Sequence, residues 1–196
     1  SSFPGDFLVA DRLYGEVFSF FGLADGNIFL PINLAIQDHK RVNDGDKGLN
    51  TGGMGAYCPA PVASAGDLEK ITKEIMESVI KEIGYKGFLY AGITKSKTGD
   101  LKVIEFNCRL GDPETQAMVM MLKDSLYKPL SNSIEGRLNP YYVIKIKNGA
   151  SCCVVLTSQG YPEKYEKGFP IKGLGEINEF YKNVKVFHAG TKSNEK

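Results

Sequence analysis

The stretch from Val103 to Gln116 constrains the fold of this chain most, because it predicts a strand, a tight turn and the start of a helix in direct succession. Its first half, VIEFN, joins β-branched and aromatic residues, which favour a strand. Successive strand side chains point to opposite faces, so Glu105, Asn107 and Arg109 share one face. The second half, LGDPETQ, is typical of a turn that leads into a helix. The stretch therefore delivers polar side chains to a helix N-terminus.

This polar face suits phosphate chemistry. A carboxylate and an amide oxygen about 7 Å apart along one strand face can both reach a magnesium–polyphosphate cluster, since hard cations prefer oxygen ligands. Arg109 could neutralise phosphate oxygens or a developing acyl phosphate. Taken alone, the pattern also fits a half-exposed strand followed by an ordinary helix start.

Composition narrows the class of protein. The chain has 196 residues, a formal net charge of +1, 42% hydrophobic and 24% charged residues, four cysteines without a CxxC pair and two histidines. These values predict a globular protein of one large domain, or one domain and part of another, in a reducing compartment. They give no reason to expect a structural zinc site, nucleic acid binding or a membrane span, so a cytoplasmic location is expected.

The first third of the chain predicts strands. Residues 7–14 are expected to form a strand that turns at Gly15, and residues 18–23 should pair with residues 28–31 through a turn at Asp25-Gly26.

Two helical segments and another strand follow. Ser64 and Asp67 resemble a capping box that opens an amphipathic helix, and Gly84 is a plausible end for it. Residues 88–93 are strand-like. A second apolar stripe begins after Asp112, where Pro129 predicts a kink or two shorter helices.

The pattern of residues changes in the last part of the chain, which predicts a domain boundary near residues 139–149. Residues 1–140 are then one domain, and residues 150–196 begin a second one. Within the second, residues 152–156 are apolar on both faces and predict a central strand, and residues 184–187 predict another.

Two further segments are candidates for ligand contact. QDHKR at residues 37–41 places an acid beside three potential cations, although a solvated charge run is the commoner meaning of such a cluster. The loop at residues 44–57 carries five glycines, and four of them (positions 48, 52, 53 and 55) lie close to Asn50, Thr51 and Met54. It lacks the spacing of a P-loop, of GxGxxG and of a calcium loop. A flexible surface turn is the alternative, but the glycines favour close backbone approach to a ligand.

With these motifs assembled, the chain resembles the phosphoribosylamine–glycine ligase family of ATP-grasp enzymes. The resemblance covers most of the chain and is carried by QDHKR (37–41), GLNTGGMGAYCPAP (48–61), LYAG (89–92), VIEFNCRLGDPETQ (103–116), GYPEKYEKG (160–168) and VKVFHAGT (184–191). It implies an α+β fold: an ATP-grasp domain, incomplete at its N-terminal side, followed by the start of a small β-rich C-terminal domain. The family's glycine-rich phosphate loop would lie upstream.

The resemblance implies an ATP-dependent ligase of purine synthesis. ATP would phosphorylate glycine, and the amine of 5-phosphoribosylamine would attack the acyl phosphate to give glycinamide ribonucleotide, ADP and phosphate. Mg²⁺ or Mn²⁺ would be the cofactor, and ATP, glycine and 5-phosphoribosylamine the small-molecule partners, with no nucleic acid or membrane. The alternatives are another ATP-grasp carboxylate–amine ligase and a non-catalytic nucleotide-binding fragment.

The resemblance also implies roles for individual residues. Glu105 and Asn107 match the metal ligands of the family, and Arg109, Lys40 and Asp38 are the candidate catalytic residues. The candidate residues for binding substrate and phosphate are His39, Arg41, Asn50, Thr51, Gly52, Gly53, Met54, Gly55, Asp112, Pro113 and Glu114.

Overall fold

A computed structural model describes residues 9–193 and centres on a six-stranded antiparallel sheet. The strands of this sheet are β1 (Glu16–Asp25), β2 (Phe29–Asp38), β5 (Gly55–Cys58), β6 (Lys86–Lys95), β7 (Leu101–Asn107) and β8 (Ser151–Val154). Their order across the sheet is β7-β6-β1-β2-β5-β8. Two short strands, β3 (Arg41–Asn43) and β4 (Lys47–Asn50), form a separate hairpin. The predicted α+β class is confirmed.

The hairpin of β1 and β2 is the centre of the sheet, and its prediction is confirmed. The strands pair antiparallel, and Gly26 takes a positive φ of 97° in the turn between them. Asp25 fixes the turn, because its Oδ1 accepts the backbone N–H groups of Asn27 (3.0 Å) and Ile28 (2.8 Å). Its Oδ2 accepts the N–H of Leu138 at 2.9 Å. Burial disfavours the charged form of Asp25, but these donors outweigh it and hold its pKa below the usual value.

Helices cover both faces of the sheet, and each face has its own apolar core. Strand alternation sends Phe18 and Phe20 to one face and Phe21 to the other. On the Phe18 face lie α1 (Ala65–Lys70), a π-helical segment (Ile71–Met76) and α2 (Glu77–Ile83), which follow one another without a break. On the Phe21 face lie α3 (Glu114–Met121) and α4 (Tyr127–Glu135). A short helix, α5 (Leu174–Phe180), lies further along the chain.

The predicted helix ends are confirmed where local signals set them. The Ser64 side chain accepts the N–H of Asp67, and the Asp67 carboxylate accepts the N–H of Ser64, which completes the capping box. Gly84 ends α2 in the left-handed conformation with φ of 62°. The second stripe forms two helices, one of the two outcomes predicted. The break falls at Leu122, which is extended, while Pro129 lies in the first turn of α4.

Three strand predictions need correction. Phe7 and Leu8 lie outside the described residues, and residues 9–14 form no strand, since they are exposed throughout and no element covers either side of them. The strand predicted at residues 152–156 is β8, and it is an edge strand, with Leu156 beyond its end and 92% exposed. Residues 184–187 form no strand and are exposed, without a strand partner in the described part of the chain.

The division into two domains stays a prediction. Strand β8 lies beyond the predicted boundary, yet it pairs with β5 and so extends the main sheet. Among residues 9–193, no helix combines the length and apolar character needed to cross a bilayer.

Candidate functional site

A polar pocket of about 60 Å³ lies where β2, β6 and β7 meet the turn before α3. Its lining contains four carboxylates and two cationic side chains. The lining residues are Asp38, Lys40, Tyr90, Glu105, Asn107, Arg109, Gly111, Asp112 and Glu114. Seven of these nine are predicted site residues, so the fold brings the QDHKR segment, the polar face of β7 and the turn before α3 to one place. Their individual roles stay predictions.

Strand β7 supplies the outer wall of the pocket. Glu105 lies opposite Gly92 of β6, and Asn107 lies opposite Tyr90, so their side chains share one face of the sheet as predicted. Gly92 leaves room for this arrangement. A Cβ there would lie 3.2 Å from Glu105 Cγ and 3.4 Å from Tyr90 Oη. The side chain of Arg109 is exposed and donates to the carbonyl of Leu110 at 3.0 Å.

The inner wall is a buried cluster of Ser19, Tyr90 and Glu114. The three residues are 3%, 5% and 4% exposed, respectively. Ser19 donates to Glu114 Oε1 at 2.8 Å, and the Tyr90 hydroxyl lies 3.2 Å from Ser19 Oγ. A Cβ at Gly111 would lie 2.4 Å from Glu114 Oε2, so a larger residue there would displace this carboxylate. Burial raises the pKa of Tyr90 to about 12, and it therefore stays protonated.

Asp38, at the end of β2, is a largely buried acid of the pocket. Its side chain is 8% exposed, and Oδ2 lies 4.0 Å from Lys40 Nζ. Oδ1 has no hydrogen-bond partner within residues 9–193. Burial, together with the nearby Glu114 carboxylate, raises the pKa of Asp38 to about 7.

Hydrogen bonds hold the glycine-rich loop against the residues that directly follow Asp38. The N–H and hydroxyl of Thr51 donate to the carbonyl of Lys40 at 2.7 and 2.9 Å, and the N–H of Met54 donates to the carbonyl of His39 at 2.8 Å. The His39 N–H donates to the carbonyl of Gly55 at 2.9 Å. The loop is therefore held against the pocket by its backbone.

Gly53 is the closest approach of the loop to the pocket. It has a φ of 129°, and a Cβ would lie 2.3 Å from Pro113 Cδ and 3.0 Å from Asp38 Oδ1. Pro113 thus packs against the loop, and the predicted residues Gly53, Pro113 and Asp38 are in direct proximity. The N–H of Gly52 contacts Tyr161 Oη at 3.3 Å.

The remaining predicted residues lie away from the pocket lining. Arg41 and Asn50 pair in the exposed hairpin of β3 and β4, where Arg41 donates to the carbonyl of Gly48 at 2.6 Å. The exposed His39 ring stacks on Tyr57, with 5.6 Å between the ring centroids. The side chains of His39, Arg41 and Asn50 do not line the pocket.

The sequence prediction missed Ser19, Tyr90 and Gly111. Ser19 carried a signal, since a hydroxyl inside the aromatic run FSFFG must find a partner when the strand is buried. Tyr90 interrupts an apolar strand in the same way. Only the sheet register shows that they meet Glu114.

We expect Ser19→Ala to destabilise the fold by about 1–3 kcal/mol, because it leaves a buried carboxylate oxygen of Glu114 without its donor. Urea unfolding at neutral pH measures the change. Ser78→Ala is the matched control, since the Ser78 hydroxyl is exposed and donates only to the carbonyl of Glu74. Equal stability changes in the two variants would contradict the role of Ser19.

The donor set of the pocket fits a hard divalent cation. Within residues 9–193, no group of three or more His, Cys, Asp or Glu side chains is arranged to hold a metal ion by itself. Glu105 and Asn107 nevertheless offer two oxygen ligands on one face, and Mg²⁺ is typically bound by one or two carboxylates together with phosphate oxygens and water. With four carboxylates against two cations, the pocket needs added positive charge before it can accept a polyphosphate.

Comparisons with known families agree with the resemblance found in the sequence. The model of the phosphoribosylglycinamide synthetase ATP-grasp (A) domain matches residues 4–115, and the model of the C domain of that synthetase matches residues 151–196. The chain is 45% identical over 193 residues to the phosphoribosylamine–glycine ligase of Synechocystis sp., covering 96% of this chain and 45% of that protein. It is 44% identical to the trifunctional purine biosynthetic protein adenosine-3 of Gallus gallus, covering 94% of this chain and 18% of that protein.

Comparisons with solved structures agree with this family match. The crystal structure of phosphoribosylamine–glycine ligase from Thermotoga maritima matches with a TM-score of 0.71 and 32% identity, over 81% of this chain and 40% of that one. The biotin carboxylase domain of 2-oxoglutarate carboxylase from Hydrogenobacter thermophilus matches with a TM-score of 0.51 and 20% identity, over 70% of this chain and 28% of that one, which is a likeness of fold alone. The chain spans less than half the length of the first curated relatives.

Proposed function

The chain belongs to the phosphoribosylglycinamide synthetase family and has the ATP-grasp fold, and from this premise we propose that it serves in the ATP-dependent joining of glycine to 5-phosphoribosylamine. The observation that carries the proposal is the pocket, in which the β7 face, the end of β2 and the turn before α3 meet. Seven of its nine lining residues are positions that the sequence resemblance marks as site residues.

The chemistry has two steps. A carboxylate oxygen of glycine attacks the γ-phosphorus of ATP, so that glycyl phosphate forms and ADP leaves. The amine of 5-phosphoribosylamine then attacks the acyl carbon, phosphate leaves, and the new amide bond gives glycinamide ribonucleotide. Both steps build negative charge on phosphoryl oxygens, which positioned cations stabilise.

The cationic and the oxygen-bearing side chains of the pocket have different roles in this reaction. Arg109 and Lys40 are its cations, and they neutralise the transferring phosphoryl group and the leaving phosphate. Glu105 and Asn107 would hold Mg²⁺ or Mn²⁺, which supplies charge neutralisation to the nucleotide phosphates when bound. The backbone of the glycine-rich loop closes the side of the pocket next to Asp38 and limits the size of what binds there.

The test is ADP release by the chain with Mg²⁺ and ATP, measured with neither, either or both of glycine and 5-phosphoribosylamine. Release that needs both substrates supports the proposal. Nucleotide binding without substrate-dependent release, from a folded chain, contradicts it and favours a non-catalytic nucleotide-binding protein. Release with a different carboxylate or amine in place of these two favours another ATP-grasp ligase.

We expect Glu105→Gln to weaken Mg²⁺-dependent binding of ADP by about tenfold or more, because an amide cannot replace the charge that a carboxylate contributes to a hard cation. Binding of a fluorescent ADP analogue, with Mg²⁺ and with EDTA, measures the effect. The exposed Glu82 on α2 provides the control variant Glu82→Gln. Equal affinity of Glu105→Gln and wild type in Mg²⁺ would refute the assignment of Glu105 as a metal ligand.

A further inference from the structure

The C-terminal segment, residues 151–165, lies along the glycine-rich loop, although the two are far apart in sequence. Its strand β8 pairs with β5, the strand in which the loop ends. Directly after β8, the N–H of Val155 donates to the carbonyl of Met54 at 3.0 Å. The N–H of Gly52 donates to the hydroxyl of Tyr161 at 3.3 Å. These contacts follow the loop from β5 back to Gly52.

The opposite side of the loop is held by the chain that follows β2. There the N–H groups of Thr51 and Met54 donate to backbone carbonyls at 2.7 and 2.8 Å. Gly53 borders the pocket between these two anchors. Both neighbours of Gly53 in the sequence, Gly52 and Met54, are bonded to the C-terminal segment. The backbone at Gly53 is therefore held from two sides.

The loop leaves room for the C-terminal segment. A Cβ at Gly55 would lie 2.6 Å from the carbonyl oxygen of Cys153, so the two backbones could not approach as they do with a larger residue there. A Cβ at Gly52 would have Tyr161 Oη as its neighbour, at 3.6 Å. At least one glycine of the loop thus serves contact with the C-terminal segment, whereas Gly53 borders the pocket.

Tyr161 is itself held in an ordered turn. Its N–H donates to the carbonyl of Ser158 at 3.2 Å, and the N–H of Glu163 donates to the carbonyl of Gly160 at 3.0 Å. The partly buried ring packs edge-on against Tyr165, with 5.6 Å between the ring centroids. A hydroxyl on a ring fixed in this way loses little side-chain entropy when it accepts a bond. This turn belongs to the GYPEKYEKG motif, which contributes no residue to the pocket lining.

We propose that Tyr161 is a positioning residue for the glycine-rich loop. Its hydroxyl fixes the N–H of Gly52, and through it the position of Gly53 at the wall of the pocket. The C-terminal segment thereby controls the width of a pocket to which it contributes no lining residue. The effect of Tyr161 on catalysis rests on the proposed function, but its effect on the loop does not.

Loss of this hydroxyl has a defined physical consequence. The N–H of Gly52 would bond to water, and the loop would sample more conformations than it does when it is held on both sides. A substrate would then have to order the loop on binding, which weakens its affinity. Tyr161 does not touch the pocket, so the chemical step in the loaded pocket should be little affected.

Amide hydrogen exchange of the isotopically labelled chain, followed by NMR, tests the contact without turnover. Tyr161→Phe removes only the hydroxyl, and we expect exchange at Gly52 to become about fivefold faster or more, with an unchanged midpoint of urea unfolding. Tyr165→Phe is the matched control, because its ring belongs to the same turn but does not accept the N–H of Gly52. It should leave exchange at Gly52 unchanged.

Two outcomes of the exchange experiment would overturn the proposal. One is equal exchange at Gly52 in Tyr161→Phe and wild type. The other is a lower unfolding midpoint with exchange accelerated to the same extent throughout the chain, since Tyr161 would then stabilise the fold without positioning the loop.

Steady-state kinetics of ADP release separates positioning from catalysis. We expect Tyr161→Phe to raise the KM of glycine or of 5-phosphoribosylamine by about threefold or more and to keep kcat within about twofold of wild type. A lower kcat with both KM values unchanged would contradict positioning. Faster exchange at Gly52 in Tyr161→Phe, in a chain that releases no ADP, would support the positioning role and contradict the proposed ligase. Substrate-dependent ADP release with equal exchange at Gly52 would do the reverse.

Discussion

Asp38→Asn should abolish a loss of stability that the wild-type chain undergoes as the pH rises from about 4 to about 7. Burial, then the Glu114 carboxylate, raises the pKa of Asp38 from 3.8 to about 7 in the folded protein. Between these values the unfolded chain has released the proton and the folded chain keeps it. The free energy of unfolding therefore falls as the pH rises, by up to about 1.4 kcal/mol per pH unit from this group.

Urea unfolding at several pH values in this window measures the effect as a difference between variant and wild type, so the other titrating groups cancel. We expect the stability of Asp38→Asn, relative to wild type, to increase with pH until about pH 7 and then level off. Asp44→Asn controls for the loss of one exposed carboxylate. A constant difference between Asp38→Asn and wild type at all pH values would contradict the raised pKa.

Gly53→Ala should destabilise the fold and disrupt the pocket, with a loss of about 2–5 kcal/mol. The φ of 129° at this position is strained for alanine, and the new Cβ would lie 2.3 Å from Pro113 Cδ. Pro113 cannot yield easily, because it is buried at the start of α3. The loop must therefore move away from Asp38 or the start of α3 must shift, and overpacking of this kind commonly costs 1–3 kcal/mol in addition to the backbone strain.

Gly52→Ala is the matched control for this prediction. Gly52 is exposed, and a Cβ there would lie 3.6 Å from Tyr161 Oη, an ordinary van der Waals contact. We expect its stability to stay within about 0.5 kcal/mol of wild type. The midpoint of urea unfolding compares the two variants. A Gly53→Ala protein as stable as Gly52→Ala would show that the loop does not pack against Pro113.

Local signals in the sequence account for much of the fold. The turn at Asp25-Gly26, the capping box at Ser64 and the stop at Gly84 each act within four residues, so each could be predicted and is confirmed. The predictions that depended on distant partners did less well. An apolar run indicates a strand but does not say whether both neighbours exist, and for this reason β8 was expected at the centre and lies at an edge.

The residues of the candidate site also differ in whether the sequence alone could predict them. The residues of β7 share a face by simple alternation, and the family resemblance assigned them to one site with Asp38, whose side chain lines the same pocket. Ser19 and Tyr90 could not be assigned from spacing, because their meeting with Glu114 depends on the register between β1 and β6 and on where α3 packs. The partnerless oxygen of Asp38 is likewise a property of the assembled pocket.

The bonds of Asp25 also bear on how the chain folds. Its bonds to Asn27 and Ile28 span two and three residues, whereas its bond to Leu138 spans 113. The turn can form early and alone, but the second oxygen finds its partner only after the chain has closed a very long loop, which is entropically costly. Until then this carboxylate must stay hydrated. Burial of the Asp25 end of the central hairpin is therefore coupled to the docking of the segment after α4.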